Sequence, residues 1–151
     1  MTASLDISLQ QHIAFRALSG YLRAVADELG VGLESVTVDH ATPVSAYLAL
    51  DIRLPRHPDR DVALLWDERH GWAIAIETHS SEDLIVLAYL GGPTITPAPG
   101  KVARFVDTVR SDDRAGRGTV PPAIRPAGSP DDLAAQLLAY LPAPSTVEPC
   151  L

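Results

Sequence analysis

The chain has 151 residues, of which 46% are hydrophobic and 21% charged, and its net charge is −7. These values fit a single globular domain with a sizeable core. The basic residues do not cluster and Lys101 is the only lysine, so neither nucleic acid nor a membrane surface is expected as a partner. The lone cysteine, Cys150, excludes a disulfide framework and a cysteine-based metal site. No signal segment or membrane-spanning run is recognised, so a cytoplasmic location is expected.

The N-terminal part of the chain predicts two helices. A short separate helix is expected from about Ser8, because Ser19-Gly20 weakens its continuity with the residues that follow. A second helix is expected over residues 19–29, where apolar residues recur at helical spacing and Gly30 suits a left-handed C-cap. Its apolar stripe should pack on the sheet and consists of Leu18, Tyr21, Leu22, Val25 and Leu29.

Two alternating segments then predict the first strands. Residues 33–40 place Val36 and Val38 on one face. Residues 44–54 alternate in the same way, and their inward positions are Ala46, Leu48, Leu50 and Ile52. Residues 55–59 contain two prolines and are expected to form a loop, because proline donates no ladder hydrogen bond. The short connections favour an antiparallel sheet with one face under helices.

The segment DVALLWDERHGWAIAIE, Asp61 to Glu77, predicts a hairpin at the centre of the sheet. Its polar loop ends at Gly71, which accepts a left-handed conformation at no steric cost. In register, Trp66 and Trp72 face each other across the strands, a contact worth about 0.5–1.5 kcal/mol beyond burial. The reverse face would let another layer or subunit come close, since it carries mostly small residues: Asp61, Ala63, Leu65, Ala73, Ala75 and Glu77.

Residues 81–90 leave two interpretations open. Ser81 followed by Glu82 and Asp83 resembles the start of a helix. The continuous apolar run from Leu84 to Leu90 instead suits a strand covered on both faces. We expect a fifth strand.

The C-terminal part predicts two further helices. The first carries a stripe of Val102, Phe105, Val106 and Val109. Residues 111–128 are rich in Arg, Asp, Gly and Pro and predict a flexible linker. Residues 129–141 predict an amphipathic helix, and residues 142–151 are expected to form a tail. That last helix is expected to dock on its own domain, on a second subunit or on a partner. Residues 1–110 are therefore expected to form one α+β domain, with an N-terminal helix, an antiparallel sheet of four to five strands and C-terminal helices on one face.

Four sequence blocks carry a resemblance to a known family. From about Tyr21 to Val109 they are YLRAVADELG, RDVALLWDERHGWAIAIE, LAYLGG and VARFV. In this order they resemble a family of small actinobacterial domains of unknown function, and the tryptophan hairpin is the specific feature. The resemblance implies a compact α+β domain and supplies no catalytic residue. The helix–sheet–helix outline is also similar to that of bacterial secretion chaperones, which is a likeness of fold alone.

No arrangement of residues in the sequence indicates a reaction. Four of the five histidines are scattered through residues 40–79 and do not predict converging metal ligands: His40, His57, His70 and His79. Four acidic residues are expected near strand ends, where solvation is more common than paired acid–base use: Asp39, Asp51, Asp61 and Glu77. Nucleophile and phosphate-loop motifs are missing. We expect no catalytic, cofactor-binding or metal site.

The expected function is a non-enzymatic protein interaction module, acting as an adaptor, chaperone-like or regulatory protein for an unidentified protein partner, with a homodimer as one form. The turn Asp67-Glu68-Arg69-His70 is expected to be a solvated tip, with a recognition tip as the alternative. The expected partner contacts are Tyr47, Trp66, Arg69, His70, Trp72, Leu133 and Leu137. The alternative function is a small-molecule sensor with a pocket between helices and sheet near Trp66 and Trp72.

Overall fold

A computed structural model gives the fold and describes residues 2–41, 43–78, 83–111 and 137, with side chains from residue 13 onward. The helices are α1 (Thr2–Leu29) and α2 (Pro99–Ser111). Between them lie a 3₁₀ turn (Leu33–Ser35) and five strands: β1 (Val36–Asp39), β2 (Ser45–Leu50), β3 (Val62–Asp67), β4 (Gly71–Glu77) and β5 (Leu84–Tyr89). Within these residues, no helix combines the length and apolarity needed to cross a membrane.

The five strands form one antiparallel sheet in the order β1-β2-β3-β4-β5. Each strand therefore pairs with its neighbour in sequence, which needs only short connections. The fifth strand is confirmed, and the alternative helix over residues 81–90 is wrong for the described part of that segment. The α+β class is confirmed as well.

The hairpin of β3 and β4 has the predicted register. Trp66 pairs with Trp72 and Asp67 pairs with Gly71, whose φ of 72° lies in the left-handed region that glycine adopts freely. One face of the sheet, the core face, carries Leu48, Leu64 and Ile74, all fully buried under the helices. The helices contribute the predicted stripes to this core: Leu18, Tyr21, Leu22 and Val25 from α1, and Val102, Phe105, Val106 and Val109 from α2.

Three predicted boundaries are wrong. The expected break at Ser19-Gly20 does not occur, because α1 is continuous from Thr2 to Leu29. Ala14, Ala17 and Leu18 bury on the same stripe as Tyr21, and this burial outweighs the roughly 1 kcal/mol that a helical glycine costs. Residues 33–35 form a 3₁₀ turn closed by the Ser35 amide on the Gly32 carbonyl. The second strand ends at Leu50, not at Leu54.

The C-terminal predictions fall mostly outside the described residues. Ser111, expected in the linker, is instead the last residue of α2. The rest of the predicted linker, the helix over residues 129–141 apart from Leu137, and the tail with Cys150 are not described. Leu137 is fully buried in the hydrophobic core.

Hydrogen bonds from both indoles join the sheet to the elements above it. Trp72 donates from Nε1 to the Tyr21 hydroxyl on α1 over 3.0 Å, and that hydroxyl donates to the Pro97 carbonyl over 2.6 Å. Trp66 donates from Nε1 to the Ile95 carbonyl over 2.7 Å. The segment that enters α2 is thereby held against the hairpin and α1, and each buried indole N–H has an acceptor.

We predict that Tyr21→Phe lowers the free energy of unfolding by about 1–3 kcal/mol, because the Trp72 N–H and the Pro97 carbonyl then lose their shared buried partner. Urea denaturation followed by tryptophan fluorescence measures the change. Tyr89→Phe is the matched control, since it removes a phenol hydroxyl from the partly exposed edge strand. Equal losses in the two variants, both under about 0.5 kcal/mol, would contradict the role of this hydroxyl.

Candidate interaction surface

The predicted contact residues divide into a buried and a surface group. Trp66 and Trp72 are each 1% exposed and lie 6.5 Å apart between ring centroids, so both indoles belong to the core. Leu137 is also buried, and Leu133 lies outside the described residues. The surface group, which lies on or beside the outer face of the sheet, is Tyr47, Arg69 and His70.

The hairpin tip is organised by the carboxylate of Asp67. Its Oδ1 accepts the backbone N–H of Arg69 over 2.7 Å and that of His70 over 2.8 Å. Its Oδ2 lies 3.0 Å from His70 Nδ1, and the imidazole stands edge-on to the ring of Tyr89 at 6.4 Å. Such turns use a short acidic side chain to satisfy backbone donors. The tip is thus a preformed turn in which Arg69 is the exposed side chain.

Glu68 departs from the expectation of a solvated turn. Its side chain is only 2% exposed, and Oε2 accepts the backbone N–H of Val44 over 2.7 Å. The Glu68 N–H in turn donates to the Val44 carbonyl over 3.0 Å. A charge-assisted bond of this kind ties the hairpin tip to the residue that precedes β2. Glu68 therefore acts in the structure of the tip and is not available to a partner.

The outer face of the sheet carries a row of alanines across its central strands. Ala63 and Ala75 pair directly across β3 and β4, and both are fully buried. Tyr47 and Glu77 stand on either side of this row, and the Tyr47 hydroxyl hydrogen-bonds to Glu77. Tyr47 and Glu77 are therefore the larger side chains that flank this row of small residues.

The last strand presents a different surface. Leu84 is 37% exposed and Ile85 is 49% exposed, which contradicts the prediction of a strand covered on both faces. Leu84 pairs with Glu77 on the outer face, whereas Ile85 pairs with Ile76 on the core face. The helices therefore leave this end of β5 uncovered. The sequence did contain a signal for an exposed edge. The segment LIVLAY has no charge and forms the last strand in the sheet order, where one side of the strand is unpaired within the sheet.

In the part of the chain that the structure describes, no three His, Cys, Asp or Glu side chains converge as metal ligands would. Asp61 forms an ion pair with Arg53 at 3.0 Å, and both side chains are more than half exposed. Pairs of this kind contribute little to stability.

The environment of Tyr47 gives a testable pH dependence. Burial raises the pKa of its phenol, and the charges of Glu77 and Asp61 together with the Glu77 hydrogen bond raise it further. Since the folded protein holds this proton more tightly than the unfolded chain, the stabilising contribution of Tyr47 is complete below about pH 10 and is lost as the pH rises through the folded-state pKa.

We predict that Glu77→Gln lowers the pKa of Tyr47, as measured by ultraviolet titration against Tyr47→Phe as the blank.

Glu34→Gln is the control for this titration, because Glu34 is an exposed carboxylate outside the set of charges that act on Tyr47. An unchanged titration in Glu77→Gln, or an equal change in both variants, would show that Glu77 does not act on the phenol.

Comparison with protein-family models identifies a family for the chain. Residues 21–108, which are 88 of the 151 residues, match the model of a family described as a family of unknown function (DUF6292). This span begins within α1 and ends within α2, so it includes the whole sheet. No curated protein and no solved structure matches the chain. The chain belongs to this family of unknown function, DUF6292, as the expected resemblance to a small domain of unknown function implied.

Proposed function

We propose that this protein is a non-enzymatic interaction module that assembles with a second copy of itself through the edge of β5. The observation that carries the proposal is the exposure of Leu84 and Ile85 on an edge strand without charge or proline. Natural sheets usually guard their edges with lysine, proline, short strands or an overlying element. An exposed edge strand that lacks lysine, other charges and proline is suited to pairing with another strand.

The opposite edge of the same sheet makes the contrast clear. β1 has four residues, of which Thr37 and Asp39 are exposed, so this edge is short and polar. β5 has six residues, all of them uncharged. A difference in composition between two edges of one sheet supports a role for β5 beyond closing the fold.

The geometry of β5 favours pairing near its beginning. The register shifts between Ile74 and Ala75, which leaves Leu87 as the extra residue of a bulge. Leu84–Val86 precede this bulge, and their apolar side chains flank the strand on both faces. Strand pairing there would add backbone hydrogen bonds and cover Leu84 on one face and Ile85 on the other.

A second copy suits this edge because antiparallel strands pair about a two-fold axis. Each copy then offers the same segment, and the two contacts are identical by symmetry. Apolar residues such as Ile85 meet their own equivalents without placing like charges directly opposite each other. The resulting assembly is one continuous sheet of ten strands, built from two sheets of five.

The absence of catalytic motifs in the sequence supports a function in assembly. The preformed tip with Arg69, beside Tyr47 on the outer face, offers a surface on which such a dimer could hold a further protein partner.

The composition, with many alanines and arginines and Lys101 as the only lysine, supports a GC-rich actinobacterial source. We also place the protein in the cytoplasm.

The test of assembly is the mass of the protein in solution. We predict a dimer of twice 16.1 kDa by size-exclusion chromatography with light scattering at micromolar concentration. Ile85→Lys is expected to give a monomer with unchanged circular dichroism, because a charged, strongly hydrated ammonium at the strand edge opposes pairing. The matched control is Leu33→Lys, which places the same charge on a side chain that is 51% exposed at the other end of the sheet.

A monomeric wild-type protein across this concentration range would reject the dimer. So would a dimer that Ile85→Lys and Leu33→Lys weaken equally, since the effect would then come from charge alone and not from β5.

A further inference from the structure

A groove runs between α1 and β1, at the edge of the sheet opposite to β5. We call it the α1–β1 groove; its volume is about 500 Å³ and it is partly open to solvent. Its apolar part is formed by Phe15, Leu22, Leu33, Val36 and Val38. Pockets of 300–1,000 Å³ with mostly apolar walls and a few polar groups are typical of small-molecule sites.

The groove carries positive charge on an acidic protein. The chain has a net charge of −7, yet the described residues that line the groove include Arg16, Arg23 and His40 and no acidic residue. Neither guanidinium makes an ion pair with any residue in the described ranges. Two arginines that form no ion pair with a described carboxylate, beside apolar side chains, are suited to an anion that also has an apolar part.

The spacing along α1 brings the two arginines to the same side. They are seven residues apart, which is two helical turns or about 10 Å. Ser19 and Gly20 lie between them on that side and also line the groove. Gly20 costs the helix about 1 kcal/mol relative to alanine, and its missing side chain leaves room between the arginines.

The far wall of the groove is also preformed. The ring centroids of Phe15 on α1 and His40 lie 4.0 Å apart, and the two ring planes are tilted by 49°. This contact joins the helix to the residue that follows β1. An apolar chain lying along Val36 and Val38 would therefore be bounded by rings at one end and by the helix along its side.

From this arrangement we infer that the α1–β1 groove binds a small amphiphilic carboxylate, with its apolar body on Leu22, Val36 and Val38 and its carboxylate between Arg16 and Arg23. The site lies at the edge of the sheet away from β5, so binding does not depend on the proposed dimer. Arginine is suited to this role because its planar group meets a carboxylate with two parallel hydrogen bonds.

Decanoate is the probe, below its micellar concentration, and ¹H–¹⁵N correlation spectra of the full chain are the readout. We expect saturable shifts at the amides of Ser19, Gly20, Val36 and Val38. The neutral analogue decanol should bind at least tenfold more weakly, because it lacks the charge. The double variant Arg16→Gln/Arg23→Gln should weaken decanoate binding at least tenfold, so that decanoate and decanol bind with equal affinity. Arg104→Gln on α2 should leave decanoate binding unchanged.

Gly20→Leu provides a second variant that alters no charge. Leucine favours the helix over glycine and fills the space between the arginines, so decanoate binding should be lost while the thermal midpoint is kept or raised. Repeating the titration in Ile85→Lys separates the two proposals, since the groove should bind decanoate whether or not the protein dimerises.

Equal affinity for decanoate and decanol in the wild-type protein would overturn the inference. Shifts that do not saturate, or an equal loss of binding in Arg104→Gln and Arg16→Gln/Arg23→Gln, would overturn it as well.

Discussion

The fold depends on the contact of two indoles with the groups above them. Trp66 and Trp72 pair across the hairpin, and their N–H groups donate to Ile95 and to Tyr21. A buried indole gains from its large apolar area but requires an acceptor for its N–H. Meeting this requirement fixes where α1 crosses the sheet and where the chain must pass before α2 begins.

This constraint explains why the core is closed at its centre and open at its margins. The central strands β3 and β4 supply most of the core face, and α1 is bound to them through Tyr21. Among the described elements, the two helices do not reach both edges of the five-stranded sheet equally. At one edge they leave Ile85 exposed, and at the other they leave a groove between α1 and β1.

The two margins differ in chemistry, and this difference separates the two proposed activities. The β5 edge is uncharged and exposes Leu84 and Ile85, which suits a strand from another chain. The α1–β1 groove combines an apolar floor with Arg16 and Arg23, which suits a small anion. Both lie outside the indole contact, so variation at either margin leaves the central packing intact.

The sequence by itself determined the hairpin, its register and the α+β class, because alternation and Gly71 act locally and each hydrophobic face has only one way to be buried. It also placed the apolar stripes of α1 and α2. Tertiary structure decided the rest. Glu68 is buried because its carboxylate accepts the N–H of Val44, 24 residues away in the sequence. Helix α1 is continuous because both of its halves bury apolar residues in the core. The start of β5 is exposed because the helices do not extend over it. The groove requires Arg16, Gly20 and Arg23 to stand beside Val36 and Val38, a proximity that depends on how a helix crosses a sheet and that no local pattern encodes.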